Sequence, residues 1–124
     1  MEITDPARAN ALIQSMGDEY SRKILLSAIP ASKSVEDVSR ENDIPLSTCY
    51  RRVHELLEAR LLVVDRIILT PEGKKHEVLR SAYRAISFSF DGGTVRVDVV
   101  INEDVADKLW RIWLTMKAPS DFQK

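Results

Sequence analysis

The chain has 124 residues, 44% hydrophobic and 30% charged, a composition that fits one compact domain with a hydrophobic core and excludes a disordered or fibrous protein. Its net charge of −1 gives no global drive toward nucleic acid, and its one cysteine excludes an internal disulfide framework. No apolar run approaches the roughly 20 residues of a bilayer span, and the N-terminus lacks the basic-then-apolar pattern of a secretory leader, so a reducing, cytoplasmic location is the expectation.

The first expected element is a helix over residues 6–16. Asp5 can cap it, Pro6 suits its first position, and Ala9, Leu12, Ile13 and Met16 share a face. Gly17 interrupts the pattern. A second helix over about 18–29 places Tyr20, Ile24, Leu25 and Ala28 on one side, with Leu26 and Ile29 widening the stripe, and Pro30 stops it. Ser34 caps a short helix that turns Val35 and Val38 inward and ends near Asn42.

The next helix is expected over about 48–60, with Ser47 as its cap. Its buried stripe is Cys49, Val53, Leu56 and Leu57, closed at the ends by Leu46 and Leu61. Arg51, Arg52, Glu55 and Glu58 fall elsewhere on the wheel. Beyond it, Leu62-Val63-Val64 and Ile67-Ile68-Leu69 favour strand, Thr70-Pro71-Glu72-Gly73-Lys74-Lys75 reads as a turn, and a return strand runs from about His76 to Ser81. Short helix, turn, second helix and hairpin together outline a winged helix-turn-helix within an α+β chain.

Ile86, Phe88 and Phe90 then alternate with small residues, Asp91-Gly92-Gly93 marks a hairpin turn, and Val95, Val97, Val99 and Ile101 form a half-buried strand. Asn102 caps a last expected helix over about 103–116, with Glu103 and Asp104 in its first turn. The organisation expected is a winged helix-turn-helix over residues 1–82, including the N-terminal helix and wing, followed by a β-hairpin and C-terminal helix over 83–124 for dimerisation or sensing.

Charge is unevenly distributed. Residues 1–46 hold 5 Lys/Arg against 8 Asp/Glu, residues 47–84 hold 8 against 5, and residues 85–124 hold 5 against 6. The local excess of cations falls where a groove-reading helix and wing would meet phosphate. Ser47, Thr48, Tyr50, Arg51 and Arg52 are the candidate contacts at the helix start. Arginine can bind guanine O6 and N7 with two hydrogen bonds, which makes Arg51 and Arg52 the candidates for reading bases. Lys74 and Lys75 at the wing turn would meet backbone phosphate, although charged hairpin tips are common for other reasons.

Ser47-Thr48-Cys49-Tyr50-Arg51-Arg52-Val53 and Leu56-Leu57-Glu58-Ala59-Arg60-Leu61-Leu62, with the wing that follows, give residues 34–70 a resemblance to the winged-helix half of the ArsR-like regulators, particularly the small archaeal ones. The resemblance implies a DNA-binding transcription regulator that lays its second helix in the major groove. Two departures matter. Arg60 stands where such sequences usually carry glycine, so the helix end needs either strained dihedrals or another geometry. Metal-sensing members carry a cysteine pair near this helix, and Cys49 alone carries no metal site over, so no cofactor is expected.

On its apolar seam, Cys49 reads as a small buried hydrophobe, and His54 and His76 have no ligand spacing around them. Enzyme signals are missing: there is no glycine-rich phosphate loop, no Gly-x-Ser-x-Gly and no His-Glu-x-x-His. The seam of the last helix is Val105, Leu109, Ile112, Trp113 and Met116, flanked by Trp110 and Leu114, and Leu109, Trp110, Ile112, Trp113 and Met116 make its candidate dimer surface. Pairing with a second copy would bury it, as would packing on the hairpin at 86–101. The expected partners are double-stranded DNA and a second copy of the chain, with a small-molecule effector held near Trp110 and Trp113 left open. The alternative reading is a protein-interaction adaptor that keeps the winged fold and docks on the transcription machinery.

Overall fold

The computed structural model describes residues 1–108, and these form four α-helices and two antiparallel sheets. A two-residue strand, β1 (Glu2–Ile3), leads into α1 (Pro6–Met16), where Asp5 accepts a hydrogen bond from the Arg8 amide at 3.3 Å. Helix α2 (Glu19–Ser27) is capped by Asp18, which accepts from the Ser21 amide and hydroxyl, both at 2.8 Å. Leu26, expected in the buried stripe, is 66% exposed. It lies about 200° round the helix from Ile24 and therefore faces away from the core.

Helix α3 (Val35–Asn42) starts with a full capping box, in which the Ser34 hydroxyl accepts from the Asp37 amide and the Asp37 carboxylate accepts from the Ser34 amide. A three-residue turn, Asp43-Ile44-Pro45, joins it to α4 (Leu46–Glu58). Asp43 takes the left-handed conformation at φ 54°, the Ile44 amide returns to the Ser39 carbonyl, and Ile44 is buried between the two helices.

Helix α4 departs from the expected bounds at both ends. Pro45, not Ser47, occupies the cap position, and no side chain caps the first turn. Leu46, expected to close the apolar seam, is exposed. At the far end the helix stops at Glu58, and Arg60 adopts φ 63°. Its amide donates to the Leu57 carbonyl at 3.1 Å, and the Leu61 amide donates to the Leu56 carbonyl at 2.9 Å. This is a Schellman ending with its apolar contact, Leu56 against Leu61, both buried. The turn that glycine usually makes is here made by arginine.

Strands β2 (Leu62–Leu69) and β3 (Lys75–Ser81) form the wing, with an irregularity in pairing between Val64 and Arg66. Its tip is a type I turn over Pro71 and Glu72 closed by Gly73, whose amide donates to the Thr70 carbonyl at 2.9 Å. Lys33 bridges to Leu79 along the outer side of β3, which fastens the wing to the helical layer.

The second sheet has the order β1-β5-β4, with β4 spanning Tyr83–Asp91 and β5 spanning Thr94–Ile101. Asp91 and Thr94 face each other across Gly92 and Gly93, both at positive φ as a type I′ turn requires. Val97 and Val99 are buried as their alternation predicts, whereas Val95, nearer the tip, is 46% exposed because the hairpin extends past the helices that cover its base.

A single cluster joins these parts. Leu12, Ile24, Leu25, Val38, Cys49, Val53 and Leu56 from the helices pack with Leu61, Leu62 and Leu79 of the wing base and with Val97, Val99 and Val105. After β5, Asn102 caps a 3₁₀ turn, Glu103–Val105, which leads into helical residues 106–108. The remainder of the helix expected over 103–116 lies outside the described residues. Among those described, no helix is long and apolar enough to cross a membrane.

Candidate nucleic-acid interface

Helix α4 hides Cys49, Val53 and Leu56 and leaves Ser47, Tyr50, Arg51, His54, Glu55 and Glu58 exposed. Ser47, Arg51, His54 and Glu58 recur at helical spacing and make one open stripe. Arg51 makes no hydrogen bond or ion pair among the described residues and stands at the middle of that stripe. At the N-terminal end, the amides of the first turn lack a side-chain cap, so they remain available to an incoming anion. Toward the C-terminal end the stripe turns acidic, with Glu58 paired to His54 at 3.1 Å. A polyanion is therefore favoured over the first two turns and repelled beyond them.

Arg52 is turned elsewhere. One residue on from Arg51, it rotates about 100° toward α2, where its Nε donates to Asp18 Oδ2 at 3.0 Å and its Nη1 reaches Glu55 at 3.5 Å. Asp18 thus caps α2 and anchors α4 with one carboxylate. Burial pushes that carboxyl up, but the bonds from Ser21 and Arg52 outweigh it and hold it below the usual aspartate range. Thr48, half-buried, lies on the same flank as Arg52. Of the two arginines named from sequence, only Arg51 stays on the open stripe.

Tyr50 is half exposed, and its hydroxyl donates to Glu36 of α3. That bond lowers the Glu36 carboxyl below its ordinary value and raises the tyrosine. The stripe therefore has an ionised carboxylate at its edge, a feature that sequence alone did not reveal, because Glu36 and Tyr50 lie on different helices. Cys49 is fully buried, its thiol facing the Val35 carbonyl, and burial pushes its pKa up. It behaves as core.

Lys74 and Lys75 are both exposed at the end of the wing, with no ion pair among the described residues. The turn holds them through the Lys74 amide, which donates to Thr70 Oγ1 at 3.0 Å, while both ammonium groups stay in solvent. Ile67, Ile68 and Leu69 on the facing strand are also exposed. A cavity of about 270 Å³ lies on another side of the molecule, among α2, Leu61 and the start of β4, with Arg22 and Arg84 at its rim. The expected dimer seam of Leu109, Trp110, Ile112, Trp113 and Met116, and with it the Trp110/Trp113 effector site, lies outside the described residues.

No protein-family model matches the chain, and no curated protein does. Among solved structures it is similar to the crystal structure of an ArsR family transcriptional regulator, at 15% sequence identity and a TM-score of 0.44, over 98% of this chain and 97% of that one. At that identity and score, a functional reading has to stand on the chain's own geometry.

Proposed function

We propose that this protein is a sequence-specific DNA-binding transcription regulator that lays the first two turns of α4 in the major groove and sets the wing turn against the flanking backbone. The observation that carries the reading is the open stripe on α4: an uncapped helix start and an Arg51 with no partner among the described residues, on the second helix of a helix-turn-helix, followed by a wing that ends in two exposed lysines. Arg51 is the base reader in this reading, with Ser47 and the Tyr50 ring beside it. Lys74 and Lys75 supply phosphate contacts. Arg52 acts indirectly, by fixing the angle of α4 against α2 through Asp18.

Selection from a random duplex pool, followed by binding measurements over a salt series, tests the proposal. Enrichment of a motif with a steep loss of affinity as salt rises supports it. A protein that retains no duplex at low salt overturns it.

A second reading is favoured by a specific pair of observations. Glu36 and Glu55 flank the stripe and Glu58 ends it, and Ile67, Ile68 and Leu69 leave an aliphatic strip on the wing. Both suit an adaptor that docks on another protein better than they suit a duplex. No retained duplex together with stoichiometric binding to a transcription complex would select this reading.

A further inference from the structure

The two edges of the β1-β5-β4 sheet are built differently. The β5 edge is covered over part of its length by β1 and guarded by charge: Arg96 pairs with Asp98 at 2.8 Å and reaches Glu2 at 4.0 Å. The β4 edge has no backbone partner on its outer side among the described residues. From Ala85 to Phe90 it reads Ala-Ile-Ser-Phe-Ser-Phe, without a charge, a proline or a glycine. Pairing irregularity is confined to its first residues, between Tyr83 and Ala85, so the rest is regular strand. Exposed strand edges of monomers are usually blunted by lysine, proline or a bulge. This one is not.

We propose that the outer edge of β4 pairs with β4 of a second copy of the chain, antiparallel across a twofold axis, making one continuous six-stranded sheet. Two observations select this occupant. The uncharged run is bounded by Arg84 at one end and Asp91 at the other. With the twofold axis at Phe88, antiparallel pairing sets Ala85 opposite the second copy's Asp91, and Arg84, in the pairing irregularity just before Ala85, falls next to that carboxylate at both ends, whereas parallel pairing sets like charge beside like. The apolar face of the hairpin also continues past the molecule's own core: Phe88 is 37% and Phe90 85% exposed, although the registered neighbour of Phe88, Val97, is buried. A twofold mate brings a second copy of the same aromatic row against the first, which an isologous contact requires.

Sedimentation velocity over a protein concentration series tests the proposal, and it reads mass rather than DNA, so it stands or fails apart from the regulator reading. The wild-type chain is expected to dimerise. Arg84→Asp creates like-charge neighbours at both ends and raises the dimer dissociation constant about tenfold. Arg84→Asp with Asp91→Arg restores the opposite-charge pairs and the affinity. Ser87→Lys with Ser89→Lys crowds four ammonium groups about the axis and gives monomer. These positions are exposed, and unchanged far-UV circular dichroism identifies folded variants. A wild-type monomer at every concentration overturns the proposal, as does a dimer that survives the single reversal and the lysine pair unchanged. Loss with Arg84→Asp and no recovery in the double reversal overturns it equally.

Discussion

Adjacent arginines at 51 and 52 meet different surroundings, and the difference separates recognition from architecture. Arg51→Ala removes a solvent-facing guanidinium and should leave stability unchanged while weakening binding to the preferred duplex by about 1–3 kcal/mol and relaxing one base position. Arg52→Ala removes a half-buried partner of Asp18 and should cost about 1 kcal/mol of stability, measured by urea unfolding. Reversal of that assignment would exchange the roles given to the two residues. The carboxylates make a related prediction. Asp18, Glu36, Asp37 and Asp65 are all held below their ordinary values, the last by Ser32 and Lys108. A carboxyl with a folded pKa lower than its unfolded one contributes stability above the unfolded pKa, and that contribution is lost as pH falls through the folded value. The urea midpoint is therefore expected to hold between about pH 7 and pH 5 and to fall below about pH 4. In Asp65→Asn, overall stability should be lower near neutrality and the acid limb shallower.

At the level of elements, the ends of α4 mark where local rules read correctly and where they do not. The periodicity of Cys49, Val53 and Leu56 is enough to place the helix, because an apolar stripe at 3.6-residue spacing has one way to bury itself. The capping box at Ser34 is equally local. Ser47 looks like a cap by residue type, but the preceding turn delivers the chain with Pro45 already at the boundary and Leu46 helical, so the helix begins earlier without a side-chain cap. The pairings Arg52–Asp18 and Tyr50–Glu36 join residues on different helices, and no pattern within one segment announces them. Strand β1 escapes for the same reason: two residues carry no period, and only β5 makes them a strand. Arg60 is the element-scale test. A residue with a Cβ in the left-handed region costs about 1–2 kcal/mol, part of which glycine gives back through its freer unfolded chain. Arg60→Gly is expected to stabilise the protein by about 0.5–1 kcal/mol, seen as a higher urea midpoint at constant slope. A neutral or destabilising result would mean that the arginine side chain holds the turn by contacts of its own.

At the level of the whole molecule, the hairpin sheet and the helix-turn-helix are held together by a buried polar clamp as well as by the apolar cluster. The Ile29 carbonyl, just past the end of α2, accepts from Arg80 Nη2 at 2.7 Å and from Asn102 Nδ2 at 3.2 Å. Asn102 Nδ2 also donates to the Ser81 carbonyl at 3.0 Å, and Arg80 Nη2 donates to Asp104 Oδ2 at 2.6 Å. Strand β3, the end of β5 and the end of α2 thus share one acceptor. Asp104 is largely exposed, so Asp104→Ala should cost less than about 1 kcal/mol. Asn102→Ala strands the Ser81 carbonyl and removes the cap of the 3₁₀ turn, which should cost about 2 kcal/mol. Either Asn102→Ala or Arg80→Met alone leaves Ile29 with one donor, and the two changes together leave it with none. The double variant should therefore lose about 1 kcal/mol more than the sum of the single losses. Simple additivity in a urea double-mutant cycle would show that solvent reaches the carbonyl and that the clamp does not couple the two sheets.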